Sequence, residues 1–129
     1  MDGDRISAAH ALGRWGEERA ARFLTRRGWV ILARNYRFGR REVDLVVRRE
    51  QLVAFVEVKT RGGDGFGAPQ EAITALKRRE IEAVAAHFLA RHGLDGVSVR
   101  FDAVAITVRT GSRVVGIEHL EDAWRPGWR

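Results

Sequence analysis

The sequence predicts a single α/β domain in which a mixed β-sheet of about five strands is flanked by helices, in the order α-β-β-β-α-β-β. The length of 129 residues fits one domain with one hydrophobic core. Two long segments carry apolar residues at helical spacing, and shorter runs rich in valine, isoleucine and phenylalanine lie between and after them. We expect the domain to cover residues 1–129, with its core at about 8–120 and an irregular tail at 121–129.

Two segments are predicted to be helices. In the first, which covers about residues 8–27, apolar side chains recur every three or four residues. Ser7 is the expected N-cap of this helix, and Gly28 is the expected residue after its end. The second helix is expected to open at Pro69, which suits a first-turn position, and to end shortly before Gly93.

Five runs are predicted to be strands, at residues 29–36, 42–47, 52–60, 97–108 and 113–120. Only the polar stretch RREQ separates the second from the third, which predicts a hairpin. A two-residue turn at Arg49 and Glu50 would pair residues whose numbers sum to 99, and a slip of two residues would make that sum 101. The stretch RGGDGFGA at 61–68 contains four glycines and is expected to be a mobile loop.

Composition narrows the class of protein. The chain has no cysteine, which excludes disulfides and thiolate chemistry. No window approaches the roughly 18 apolar residues of a membrane helix, and the start MDGDRISAAH lacks the apolar region of a signal peptide. We therefore expect a cytoplasmic protein that does not bind membranes. The formal net charge of +6 and the pI of about 11.1 indicate a polyanionic partner.

The basic residues are unevenly distributed in type and in position. Arginines cluster most densely in RNYRFGRR at residues 34–41, where Tyr36 and Phe38 are interleaved with them. Such a mixture suits phosphate contacts together with stacking on bases, although a solvated connection between two strands explains it equally well. Of the 23 basic residues, 21 are arginine, and only Lys59 and Lys77 are lysine.

Lys59 lies in the run FVEVKTR, two residues after Glu57. Side chains at i and i+2 of a strand share a face, and both hairpin registers bring Asp44 of EVDLVV to that face, within roughly 5–8 Å. Two carboxylates so close repel unless a cation lies between them, and hard oxygen ligands suit Mg²⁺ or Mn²⁺. A lysine beside the metal could orient a water or neutralise charge on a phosphate. The alternative is an internal ion pair between Lys59 and either carboxylate.

The first helix offers another carboxylate. One stripe of this helix consists of Gly13, Glu17, Ala21 and Leu24. Glu17 therefore projects from small and apolar residues that are expected to face the sheet. Alternatively, Glu17 is a surface carboxylate paired with Arg14 or Arg41. Asp102 interrupts an apolar strand, and we expect it to make structural hydrogen bonds rather than to act in catalysis.

Five ordered blocks resemble the YraN family of bacterial proteins, within the PD-(D/E)xK restriction-endonuclease-like superfamily. They cover about residues 12–120 and read LGRWGEERAARFL, NYRFGRREVDLVV, FVEVKTR, FGAPQEAI and VRFDAVAI. The resemblance implies a restriction-endonuclease-like fold and a nuclease site related to that of Holliday-junction resolvases. The proline of the superfamily's name is absent, because Val43 precedes the aspartate.

Four residues match catalytic positions of the superfamily, namely Glu17, Asp44, Glu57 and Lys59. By this resemblance, Asp44 and Glu57 are metal-binding carboxylates, and Lys59 is the motif lysine. Glu17 and the backbone carbonyl of Val58 are candidates for additional metal ligands.

Further residues are expected to contact nucleic acid, namely Arg37, Arg40, Arg41, Arg61 and Lys77. Glu42 shares the strand parity of Asp44 and could be a further ligand or could repel phosphate, so we leave it unassigned. The predicted function is that of a Mg²⁺- or Mn²⁺-dependent endonuclease acting on DNA, with branched or single-stranded DNA as candidate substrates and a homodimer as an open option. The alternative is a non-catalytic nucleic-acid-binding module in DNA processing.

Overall fold

The computed structural model describes residues 2–62, 73–109 and 113–127. The elements follow the predicted order: α1 (Asp2–Arg26), β1 (Val30–Phe38), β2 (Arg41–Arg49), β3 (Leu52–Gly62), α2 (Ala75–Arg91), β4 (Ser98–Arg109) and β5 (Arg113–Trp124). Over these ranges the strands form one five-stranded sheet in the order β1-β2-β3-β4-β5.

The sheet is mixed. β3 and β4 are parallel, with α2 in the connection between them, and the other neighbouring strands are antiparallel. This arrangement confirms the predicted α/β class and the restriction-endonuclease-like fold. The central strand β3 has buried residues on both faces, as expected of a strand covered by a helix on each side.

Each face of the sheet has its own apolar core. Leu24 and two alanines of α1 pack with Val56 and other apolar residues on one face. Ile81, Val84 and Phe88 of α2 pack with Phe55 on the other face. The sheet is therefore the middle of three layers, and residues at the end of β3 can be reached from both helices.

The end of α1 confirms the sequence prediction, but its beginning does not. Gly28 has φ +92°, its N–H donates to the carbonyl of Thr25, and the N–H of Trp29 donates to the carbonyl of Leu24. This is the Schellman closure that glycine permits. The helix begins at Asp2, so Ser7 lies inside it and the predicted N-cap was wrong. A serine is tolerated within a helix, and the apolar periodicity on which we relied starts only after it.

The helix α2 begins later than predicted. Thr74 is its N-cap and accepts from the N–H of Lys77, so the helix starts at Ala75. Pro69, the predicted start, and residues 63–68 of the predicted mobile loop lie outside the described residues. The helix ends at Arg91, and Gly93 follows with φ +60°, as predicted.

The last strand is longer than predicted. β5 continues to Trp124, four residues beyond the expected end. Trp124 stacks on Phe101 of β4, with 5.3 Å between ring centroids, and its indole N–H donates to Glu82 of α2. These contacts hold the end of β5 against the sheet. The largely polar sequence EDAW at residues 121–124 gave no indication that the strand continues there.

Candidate active site

The site lies where β2 and β3 separate. Their paired residues run from Leu45 opposite Val56 to Arg49 opposite Leu52, so the numbers sum to 101 and the second of the two predicted registers is the observed one. Continued by one residue, this register places Asp44 opposite Glu57. There the backbone pairing stops, and the N–H of Val58 donates instead to Asp44 Oδ2 at 2.7 Å. The side chain of Asp44 thus takes the place of a backbone acceptor and is held at the opening.

Asp44, which is partly buried, and Glu57, which is buried, form a pair of carboxyl groups. Glu57 is only 3% exposed, and its side chain shares a hydrogen bond with Asp44. The pKa of Asp44 is raised from 3.8 to about 8, first by burial and then by the hydrogen bond and negative charge of Glu57. The N–H of Val58 and the charge of Lys77 act in the opposite direction but are weaker. The pair therefore needs a shared proton or a cation at neutral pH.

Two more carboxylates converge on Asp44. Within the described part of the chain, Glu17 from α1 and Glu42 from β2 each offer an oxygen, and these oxygens and one of Asp44 all lie within 4.8 Å of one another. The side-chain amide of Asn35 donates to both, at 2.9 Å to Glu17 and 3.0 Å to Glu42. Burial raises the pKa of Glu17, while the hydrogen bond from Asn35 lowers it. This group of three acidic residues could hold a metal ion, and Glu42, which the sequence left unassigned, belongs to it.

The donor chemistry at this position fits a hard divalent cation. The candidate ligand atoms are carboxylate oxygens, and their spacing allows several of them to reach one ion. Burial, followed by the neighbouring carboxyl groups, raises the pKa of Asp44, and burial raises that of Glu17. Glu57 lies outside the group of three, but it joins the site through its hydrogen bond to Asp44.

A close helix–strand contact sets the position of Glu17. A Cβ added at Gly16 would lie 1.9 Å from Thr60 Oγ1, so α1 approaches β3 more closely than any larger residue would allow. Gly13, which lies on the same helix stripe as Glu17, has open space around its Cα. Glu17 follows directly after the contact and points into the opening between β2 and β3. The predicted pairing of Glu17 with an arginine is not found among the described residues, because Asn35 is its partner.

Both lysines of the chain line the same cleft. This cleft has a volume of about 450 Å³, and its polar lining residues are Glu17, Asp44, Glu57, Lys59, Thr60 and Lys77. Lys77 Nζ lies 3.8 Å from Glu57 Oε2 and donates to the carbonyl of Glu42 at 3.3 Å. Across the described ranges, Lys59 makes no ion pair, so the alternative of an internal pair with Asp44 or Glu57 does not describe it.

The arginines expected to bind nucleic acid lie around the β1–β2 turn and beyond the cleft. Arg37 pairs with Glu42 at 2.8 Å, and Arg40 and Arg41 are exposed. Arg61 lies two residues beyond Lys59 on β3 and is partly buried. Three of these four arginines are exposed, and their contact with nucleic acid stays a prediction.

Comparison with known proteins places the chain in a family. A family model described as "Uncharacterised protein family UPF0102" matches residues 16–106, which is more than half of the chain. The chain belongs to the UPF0102 family. It is 47% identical over 117 residues to a UPF0102 protein of Nocardia farcinica, covering 91% of each chain. It is 44% identical over 119 residues to one from Syntrophotalea carbinolica, covering 92% of this chain and 95% of the relative.

Membership of UPF0102 confirms the resemblance to the YraN family that five sequence blocks indicated. A UPF0102 protein of Chloroherpeton thalassium is 43% identical over 112 residues, covering 87% of each chain. Among the described residues of this UPF0102 member, no helix combines the length and the apolar character needed to cross a membrane.

Proposed function

We propose that this protein is a divalent-metal-dependent nuclease that hydrolyses phosphodiester bonds in DNA. The observation that carries the proposal is the convergence of Glu17, Asp44 and Glu57 from three different elements on one cleft. Negative charge on Glu17 and Asp44 would be costly there without a cation, since burial raises the pKa of both. A cluster that serves only stability would gain more from apolar residues of similar volume.

The carboxylates would hold the cation and direct the phosphate. Asp44, Glu17 and Glu42 would supply oxygens to Mg²⁺ or Mn²⁺, and Glu57 would join them once its shared hydrogen bond with Asp44 is released. When bound, such an ion polarises a phosphoryl oxygen and makes a coordinated water more acidic. The N–H of Val58 donates to Asp44 Oδ2 at 2.7 Å and so fixes the position of this carboxyl group. The backbone carbonyl of Val58 is a further candidate ligand.

The two lysines would supply positive charge to the phosphate in addition to that of the cation. Lys59 lines the cleft without an ion pair among the described residues, so its ammonium is available to orient water or to neutralise charge that develops on the phosphate. Lys77 neutralises part of the charge of Glu57 before a metal arrives and can then contact phosphate. The net charge of +6 supplies the long-range attraction that brings DNA to an acidic cleft.

Metal titration and cleavage test the proposal together. Calorimetry with Mn²⁺ should show binding that Asp44→Asn and Glu57→Gln each abolish. Cleavage of branched, single-stranded and duplex DNA should require Mg²⁺ or Mn²⁺ and disappear in the same variants. Glu50→Gln is the matched control, because Glu50 is an exposed glutamate in the β2–β3 turn, at the opposite end of the hairpin from Asp44 and Glu57.

The outcomes separate the nuclease from its rival. Metal binding without cleavage of any substrate, together with salt-dependent DNA binding, would favour a non-catalytic nucleic-acid-binding module. Unchanged Mn²⁺ binding in both cleft variants would refute the metal site, and with it the nuclease.

A further inference from the structure

The β1–β2 turn exposes an aromatic ring among arginines. Phe38 is the last residue of β1, is 40% exposed, and is paired across the turn with Arg41. Arg40 and Arg41 are exposed, and 72% of the side chain of Arg37 is accessible to solvent. A single exposed phenylalanine needs no explanation, but one with three arginines within three residues of it in the sequence matches the composition of surfaces that bind single-stranded nucleic acid.

The ring of Phe38 is held in one orientation. It stacks on the imidazole of His87 from α2, with centroids 4.3 Å apart and planes inclined by 11°. His87 Nδ1 in turn shares a 2.9 Å hydrogen bond with the hydroxyl of Tyr36. Since His87 covers one face of the Phe38 ring, the exposed surface lies on the opposite face and the edges. Preorganisation of this kind reduces the entropy lost when a ligand stacks on the ring.

Tyr36 does not share this exposure. Its ring packs edge-to-face against Phe88, with centroids 5.0 Å apart, and its hydroxyl is used by His87. Of the two aromatic residues interleaved with the arginine cluster, one therefore belongs to the α2 core and the other faces solvent. The two positions can be separated by mutation for this reason.

The exposed ring lies within reach of the cleft. Arg41, the partner of Phe38, lies three positions before Asp44 on β2, which corresponds to on the order of 10 Å along the strand. Successive nucleotides of a stacked strand are about 3.4 Å apart. A base about three nucleotides from a phosphate in the cleft would thus be level with Phe38.

We propose that Phe38, backed by His87, is a stacking platform for an unpaired base of the DNA strand whose phosphate occupies the cleft, with Arg40 and Arg41 contacting neighbouring phosphates. This rests on the nuclease function proposed above and specifies its substrate as DNA with unpaired bases near the cut. A base within an intact duplex already stacks on its neighbours and gains nothing from the ring.

Binding measured in EDTA tests the platform without cleavage. Fluorescence anisotropy would compare a short oligothymidylate, an abasic oligonucleotide of equal length and the corresponding duplex. Phe38→Ala should weaken binding of the oligothymidylate by about 5- to 100-fold, the usual effect of losing one base–aromatic stack. It should leave the abasic and duplex probes unchanged, because neither offers a free base. Phe38→Trp should retain wild-type affinity, and Phe38→Leu, which keeps apolar bulk without an aromatic face, should resemble Phe38→Ala.

Two control variants distinguish base stacking from general apolar and electrostatic effects on binding. Leu32→Ala removes another exposed apolar side chain of β1, 39% accessible, and should change no affinity. The double change Arg40→Ala with Arg41→Ala should weaken all three probes alike and reduce the salt dependence.

An equal loss of abasic or duplex binding in Phe38→Ala, or no loss at all, would overturn the platform. If wild type cleaves DNA while Phe38→Ala binds normally, the platform fails and the nuclease stands. If wild type binds none of the three probes, both proposals fail.

Discussion

Asp44→Asn is expected to stabilise the metal-free protein at neutral pH while it abolishes metal binding. The pKa of Asp44 is about 8 in the folded protein against an ordinary value of 3.8, chiefly because the group is buried beside Glu57. The folded chain therefore keeps a proton that the unfolded chain releases between these pH values. Because the folded state binds more protons, the free energy of unfolding falls as pH rises through this window.

The size of the effect follows from the shift. Each pH unit inside the window costs about 1.4 kcal/mol of stability, so raising the pH from 5 to 7 should cost the wild type roughly 3 kcal/mol. For a domain of this size that corresponds to a fall of the melting temperature on the order of 10 °C. The amide of Asp44→Asn is nearly isosteric and uncharged, and its oxygen can still accept from the N–H of Val58. This variant should consequently show no such fall.

The melting temperatures of the wild type and of Asp44→Asn would be measured in EDTA from pH 5 to 8. The same measurements would then be repeated with Mn²⁺ in place of EDTA. The metal should restore the wild type at high pH by about 2.7 kcal/mol when present at a hundred times its Kd, and should not affect Asp44→Asn. A flat melting temperature for the wild type, or the same slope in both proteins, would refute the reasoning.

Asp102→Asn is the matched control, because Asp102 is a fully buried aspartate whose pKa is shifted in the opposite direction. Burial alone would raise the pKa of Asp102, but hydrogen bonds from His119, Arg100 and the backbone of Asp122 hold it below its usual range. The contribution of this carboxylate to stability is present above the ordinary pKa and is lost as pH falls. Asp102→Asn should therefore lower the melting temperature at neutral pH and leave the response to Mn²⁺ intact.

Three further predictions concern the same cleft. Lys59→Arg should reduce metal-dependent cleavage nearly as much as Lys59→Ala, on the order of 10²–10³-fold, with little change in melting temperature; an active arginine variant would contradict the need for a compact ammonium. In denaturant titrations, Gly16→Ala should lower the free energy of unfolding by about 1–2 kcal/mol, because the added methyl group would clash with Thr60. Gly13→Ala, whose methyl group would enter open space, should raise it by about 0.5–1 kcal/mol. Asn35→Gly preserves the left-handed backbone but removes the amide, so calorimetry should show Mn²⁺ affinity reduced about 10- to 100-fold; unchanged affinity would mean that the amide does not position the carboxylates.

The hairpin shows how far periodicity could predict the site. Strand alternation placed Asp44, Glu57 and Lys59 on one face in either even register, and the structure selects the register that sums to 101. The choice depends on the turn, which lies at Glu50 and Gln51, with Glu50 at φ +55°. Glutamate seldom adopts that conformation, so the local sequence favoured no particular turn and the register could not be decided in advance.

Other site residues had no signal in the sequence because their roles depend on elements that meet only in the fold. Asn35 bonds to carboxylates from α1 and β2 while its own φ is +47°. Gly16 matters because a threonine of β3, 44 residues later, lies against it. The positive φ of Asn35 within a strand is apparent only in the folded structure. In the sequence, NYRF continues an ordinary β pattern.

The use of lysine in this chain has a local explanation. Twenty-one of the 23 basic residues are arginine, yet the two lysines come together in one cleft, Lys59 from β3 and Lys77 from α2. An arginine at position 77 would make a bidentate pair with Glu57 and occupy the space that a cation and a phosphate must share. Lys77 instead lies 3.8 Å from that carboxylate, a loose contact that partly compensates the acidic pair and can be released. Under the proposed nuclease function, the cleft must hold both a cation and a phosphate, and a compact ammonium at Lys59 and at Lys77 leaves room for both. That requirement would account for lysine at both positions.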